Sequence, residues 1–135
     1  MGKVLVVDDS KLVIIMIKKY LAPDGHQIMQ AGSGQEALDL LASGEKPDVI
    51  LLDVVMEEMD GFELIEKIKS NPKTQDIPTL FVTSLDKASD INKGLELGAE
   101  DYVIKPFTAS ELQSKVNSYA SWLEGWINFY SLKFE

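Results

Sequence analysis

The chain has 135 residues, 45% of them hydrophobic and 26% charged, a composition that suits one globular domain around one core. It has no cysteine, which excludes a disulfide framework, a zinc–thiolate cluster and thiol catalysis, and leaves the cytoplasm as the default compartment. A formal charge of −9 repels nucleic-acid phosphates, so direct DNA or RNA binding is not expected, whereas cations and basic partners are accommodated.

The first apolar run, residues 4–7, is too short for a secretory signal and is stopped by Asp8. Val6 breaks the myristoylation pattern after Gly2, and no window approaches a membrane span. Lys3–Val7 reads as a strand covered on both faces. Residues 10–21 predict a helix, with Leu12, Ile15, Met16, Lys19 and Tyr20 at helical spacing and Pro23 and Gly25 ending it. Residues 26–30 read as a second strand, with His26 on its surface. Ser33-x-x-Glu36 is a capping box that opens a helix through Leu41. Residues 48–52 form the third strand, and Asp60-x-x-Glu63 opens a helix whose inner face is Phe62, Ile65 and Ile68, closed by Asn71-Pro72. Thr79–Thr83 is the fourth strand. Asp86 or Ser89 caps the next helix, which Gly98 terminates. Asp101–Ile104 is the fifth strand, and Thr108-x-x-Glu111 opens a last helix carrying Leu112, Val116, Tyr119 and Leu123.

Five repeats of strand then helix require parallel pairing with right-handed crossovers, which gives a doubly wound α/β sheet. Function in such sheets gathers at the carboxyl ends of the strands. There the sequence puts Asp8-Asp9, Asp53, Thr83-Ser84 and Lys105-Pro106, from the first, third, fourth and fifth strands. Asp53 directly follows the run Val49-Ile50-Leu51-Leu52, an expensive place for a carboxylate without a task. Three crowded carboxylates repel, and a hard divalent cation such as Mg²⁺ relieves that repulsion, helped by a lysine ammonium. Lys and Thr then stand where phosphoryl oxygens need donors, which is equipment for phosphoryl transfer to an aspartate. Each piece alone has a plain reading as a turn residue, helix cap or solvated loop. Four together at successive strand ends are hard to assign to chance.

The segments "VLVVDDS", "ILLDVVMEEMDG", "PTLFVTS" and "GAEDYVIKPF", in this order and spacing, resemble the receiver domain of two-component response regulators over about residues 3–120. The resemblance implies a flavodoxin-like five-stranded sheet of order 2-1-3-4-5. It implies Asp53 as phosphoacceptor and a Mg²⁺ held by Asp9 directly, by Asp8 mostly through water, by Asp53 and by the Val55 carbonyl. Thr83 and Lys105 would bind the phosphoryl group, Tyr102 would be the switch aromatic, and Lys105-Pro106 would be a cis peptide. The implied role is a signalling switch with self-catalysed phosphotransfer and slow autodephosphorylation, not a conventional enzyme. Implied partners are a sensor histidine kinase or phosphotransfer protein, and an output target on the face of the fourth helix, fifth strand and fifth helix, with a homodimer through that face or the tail as a further possibility. No membrane association is implied.

Three positions depart from the common pattern. Glu57 replaces a frequent proline after Met56, which predicts a less rigid loop after Asp53. Val55 and Leu85, each two residues beyond Asp53 and Thr83, are apolar where relatives can carry polar groups that influence an attacking water; this predicts slow hydrolysis of the phosphoaspartate. The rival readings fare worse. A haloacid-dehalogenase-like phosphotransferase wants a second Asp where Ser10 stands, and a flavin carrier needs a phosphate loop where Asp8-Asp9 would repel it. Gly32-Ser33-Gly34 is an incomplete dinucleotide fingerprint. A phosphorylation-independent adaptor would not need the full residue set. The domain division is a receiver over residues 1–120 and an aromatic extension over 121–135, "SWLEGWINFYSLKFE". Its Trp122, Trp126, Phe129 and Tyr130 at helical spacing fit a partner or dimer surface better than self-packing, and a stub of a longer protein is the third reading.

Overall fold

Five strands alternate with five helices in the computed structural model, which describes residues 2–120. They are β1 Lys3–Val7, α1 Lys11–Leu21, β2 Gln27–Ala31, α2 Gly34–Ala42, β3 Val49–Leu52, α3 Gly61–Lys69, β4 Thr79–Thr83, α4 Ala88–Glu96, β5 Asp101–Ile104 and α5 Ala109–Ala120. All pairings are parallel and the order is β2-β1-β3-β4-β5, as the alternation requires. Val7 pairs with Leu52 and Thr83 with Ile104, so the strand tips align along one edge. Extension 121–135, Leu123 included, lies outside the described residues.

The strands read as continuous apolar runs because both faces are covered, and the period of two splits each run between two cores. Leu5, Val7, Ile50, Leu52 and Phe81 point to one side and pack with Phe62, Leu64, Ile65 and Ile68 of α3. Val4, Val6, Val49, Leu51, Leu80 and Val82 point to the other and pack with α1 and α5 through Ile14, Ile17, Leu21, Leu112 and Val116. Among the described residues, no helix is long and apolar enough to cross a membrane.

Most expected helix starts form as capped ends. Ser10 accepts from the Val13 N–H, Ser33 from Glu36, Asp60 from Glu63 and Thr108 from Glu111. The Glu36 carboxylate reaches back to the Gly32 N–H at 2.9 Å, one residue before the box partner. Three sequence expectations need correction. Neither Asp86 nor Ser89 caps α4. Lys87 occupies the N-cap without a side-chain bond, and Ser89 falls inside the first turn. The inner face of α1 is Ile14, Ile17 and Leu21; Leu12 and Ile15 are 75% and 60% exposed, while Met16 and Tyr20 are half-buried. Apolar residues surround so much of this helix that spacing cannot select a face, and the short link from β1 through the Ser10 cap sets the phase. His26 is not a surface strand residue. It precedes β2, is buried, accepts from the Gly2 N–H at Nδ1 and bonds Asn117 Oδ1 of α5 through Nε2 at 2.7 Å. Those two bonds require the neutral ring protonated at Nε2.

The α1 phase is testable by chemical denaturation. Ile17→Ala, which opens a cavity, is expected to cost about 2–5 kcal/mol, and Ile15→Ala less than about 0.5 kcal/mol. Equal losses would contradict the assigned face.

Candidate functional site

Each site residue is carried by a strand tip. Asp8 and Asp9 follow β1, Asp53 follows β3, Thr83 ends β4, and Lys105 follows β5. The Asp8 N–H bonds the Ala31 carbonyl and the Asp53 N–H bonds the Val7 carbonyl, so both backbones continue the sheet ladder and carry little freedom. The carboxylates of Asp8, Asp9 and Asp53 offer oxygens that all lie within 4.8 Å of one another. Asp8 and Asp53 are only 2% and 7% exposed, while Asp9 faces solvent.

Lys105 Nζ donates to Asp8 Oδ2 at 2.8 Å and to Asp53 Oδ2 at 3.1 Å. Burial pulls this ammonium down, but the Asp8 hydrogen bond and the charges of Asp53 and Asp8 outweigh it, so its pKa ends above the ordinary lysine value. The remaining carboxylate oxygens are held by backbone. Asp8 Oδ1 accepts from the Ser10 N–H at 2.9 Å, and Asp53 Oδ1 from the Val55 N–H at 3.2 Å. Three carboxylates against one ammonium leave two negative charges, the complement of a divalent cation, and an all-oxygen donor set suits a hard one.

Thr83 is fully buried between the tips of β3 and β5, and the Lys105 N–H bonds its carbonyl at 2.9 Å. Its hydroxyl accepts a long 3.4 Å bond from the Leu85 N–H, which leaves the hydroxyl proton available. The Lys105–Pro106 peptide is cis. The Val55 side chain is 55% exposed, and Leu85 is packed on the core beneath the site. The Tyr102 hydroxyl is buried and finds no partner among the described residues; burial first, then the charges of Asp90 and Asp53, push it up to about 12.

One contributor escaped the sequence reading. A side chain on Gly61 would bring its Cβ to 2.2 Å from the Asp53 carbonyl oxygen, and the Gly61 N–H bonds the Val54 carbonyl at 2.8 Å. Only glycine lets α3 begin directly beneath the tip that carries Asp53. The signal was the glycine after the Asp60 cap, legible only once the neighbouring strand is placed.

The family model described as a response regulator receiver domain matches residues 4–117. The chain belongs to the response regulator receiver family. Among curated relatives, a "Probable transcriptional regulator ycf27" of Guillardia theta is 38% identical over 86% of this chain and 44% of its own length. A "Probable cyclic di-GMP phosphodiesterase" of Vibrio cholerae is 44% identical over 86% of this chain and 26% of its own length. The receiver chain therefore spans less than half the length of these relatives. Among solved structures, the receiver domain of a signal transduction histidine kinase from Syntrophus aciditrophicus is 36% identical with a TM-score of 0.81, covering 90% of this chain and 91% of that one. The receiver fold supplies the sheet edge, and the acidic cluster with its lysine is built on it.

The Lys105 bridge makes a stability prediction. Lys105→Met removes the ammonium between two nearly buried carboxylates and is expected to cost up to about 3 kcal/mol at neutral pH in a chelator. Folding raises the Lys105 pKa, so the loss should be fully present below the ordinary lysine value of ~10.4 and should shrink as pH rises beyond it, where the native ammonium itself loses its proton. A pH-independent loss in urea denaturation would mean that packing, not charge, is what Lys105 contributes.

Proposed function

We propose that this receiver is a phosphoacceptor switch, with residues 1–120 forming the switching unit and Asp53 taking the phosphoryl group. The observation that carries the reading is the convergence of Asp8, Asp9, Asp53 and Lys105 at one sheet edge, with two unbalanced negative charges. Asp8, Asp9 and Asp53, with the Val55 carbonyl, would hold Mg²⁺, and this donor set fits it. When bound, Mg²⁺ supplies positive charge to the phosphoryl oxygens.

An Asp53 carboxylate oxygen attacks phosphorus of a donor phosphohistidine. A P–O bond forms, the P–N bond breaks, and the imidazole leaves with the electron pair and is protonated by solvent. A small acyl phosphate can serve as donor in the same way, with its P–O bond breaking instead. Lys105 exchanges part of its interaction with Asp53 for a phosphoryl oxygen, and the Thr83 hydroxyl donates to another. Catalysis is positioning and charge neutralisation, without a general base. The product carries about two negative charges and three acceptor oxygens where one carboxylate stood.

The new bonds exist only in the phosphorylated state, so they bias an equilibrium between two conformations. Moving it from mostly off to mostly on takes about 5 kcal/mol, and a few charge-assisted hydrogen bonds of ~1.5–3 kcal/mol each reach that. The pull on Thr83 holds Tyr102 in its inward position and so fixes the face of α4, β5 and α5, where a groove is lined by Tyr102, Val103, Ile104, Glu111, Ser114 and Lys115. The donor is a sensor histidine kinase or phosphotransfer protein, and the output partner or a second copy docks on that face. The apolar Val55 and Leu85 offer nothing to orient an attacking water, so dephosphorylation is slow.

Incubation with acetyl phosphate and Mg²⁺ is expected to add one phosphoryl group, visible as a mass increase, that Asp53→Asn and EDTA both abolish. The modified protein should persist for minutes after donor removal. Persistent stoichiometric labelling of the Asn variant would refute the acceptor assignment, and decay within seconds would refute the role given to Val55 and Leu85.

A further inference from the structure

α4 has one buried residue, and that residue is Gly94. Glycine is a poor choice inside a helix, so its presence there calls for a local reason. A methyl group on Gly94 would lie 2.9 Å and 3.0 Å from Phe81 Cε2 and Cδ2, and 3.2 Å from Tyr102 Cε2. These distances fall inside ordinary carbon contact. The two rings already fill the space that a side chain would use.

Their surroundings decide which ring would yield. Phe81 is fully buried and hemmed in by Phe62, with ring centroids 5.5 Å apart, while Lys93 covers the Phe62 ring at 4.6 Å. Tyr102 packs on Phe81 at 5.6 Å but is half-exposed. Its buried hydroxyl has no partner among the described residues, so ring packing, not a polar bond, holds it inward. A group added at Gly94 presses on Phe81 first, and the half-exposed Tyr102 ring packed against it is the neighbour free to yield.

We infer that Gly94 is a positioning residue for the switch: its missing side chain forms a seat on α4 that lets the Tyr102 ring lie inward against Phe81. Filling the seat drives the ring out and weakens the phosphorylated state. The second consequence rests on the phosphoacceptor reading above, and the first does not. The raised Tyr102 pKa agrees with an inward ring. Because α4 has no other buried residue and no side-chain N-cap, this seat also ties the helix to the sheet, so ring position and helix position move together.

The seat is tested without phosphate by fluorine NMR on protein carrying 3-fluorotyrosine, with the Tyr102 signal among the four tyrosines assigned by Tyr102→Phe. In Gly94→Ala, a soluble paramagnetic agent is expected to relax the Tyr102 signal several-fold faster than in the native chain. Adding Phe81→Leu, which makes room, should restore its protection. Unchanged relaxation in Gly94→Ala, or no recovery in the double variant, would overturn the seat. A second arm measures beryllofluoride affinity with Mg²⁺. Gly94→Ala is expected to lower it about 10-fold, and the same change in a Tyr102→Ala background is expected to have no effect. An equal loss in both backgrounds would mean that Gly94 acts on the α4 backbone alone, against the inference. If the native chain fails to bind beryllofluoride, the phosphoacceptor reading falls while the fluorine arm still decides the seat.

Discussion

Lys105 reaches from beyond β5 to Asp8 at 2.8 Å and Asp53 at 3.1 Å, across an edge where both carboxylates are almost withdrawn from water. Removing one partner from such a pair leaves a buried charge uncompensated, which is far more costly than the pair is stabilising. The tips of β1, β3 and β5 must therefore stay in register for the fold to tolerate its own acids. The sheet does this through main-chain bonds that run past the strands, from Asp53 to Val7 and from Lys105 to Thr83. One lysine cannot neutralise three carboxylates, and the remaining negative charge is the complement of a divalent cation. Stability and chemistry thus draw on the same electrostatic deficit.

The path from this edge to the surface is short because the same strands carry both. Thr83 and Phe81 sit two residues apart on β4 and both are buried. Thr83 faces the site side and Phe81 belongs to the core that Tyr102 and α3 share. In the proposed switch, a pull on the Thr83 hydroxyl would reach Tyr102 across one strand pairing, Phe81 with Tyr102. α4 is the helix with least to hold it: one buried position, no side-chain cap, and Leu95 44% exposed. A weakly anchored helix beside a firmly anchored strand is a place where a small displacement at the edge becomes a change of surface.

The fold and the strand-tip residues were legible because their signals are local. Apolar runs of four or five residues, capping residues three positions before a Glu, and acids or hydroxyls directly after each run need no knowledge of neighbours. The phase of α1 was not legible, since "KLVIIMIKKYL" has apolar residues on nearly every side and the buried stripe is set by how β1 delivers it. His26 was misread because its partners, Gly2 and Asn117, are distant in sequence and meet only through tertiary packing. Gly61 and Gly94 were invisible for a related reason. A glycine required by close approach looks like any other until the Asp53 backbone or the Phe81 and Tyr102 rings are beside it. Sequence spacing finds groups that act; it does not find the absent atoms that make room for them.

The most direct test is the chemical location of the phosphoryl group. The protein, loaded from an acyl phosphate with Mg²⁺, is reduced with borohydride, which converts an acyl-phosphorylated aspartate to homoserine, and is then mapped by tandem mass spectrometry. Homoserine at position 53, and not at 8 or 9, is the result the charge-balanced edge predicts. Reduction at Asp8, Asp9 or a carboxylate elsewhere, with Asp53 intact, would contradict it.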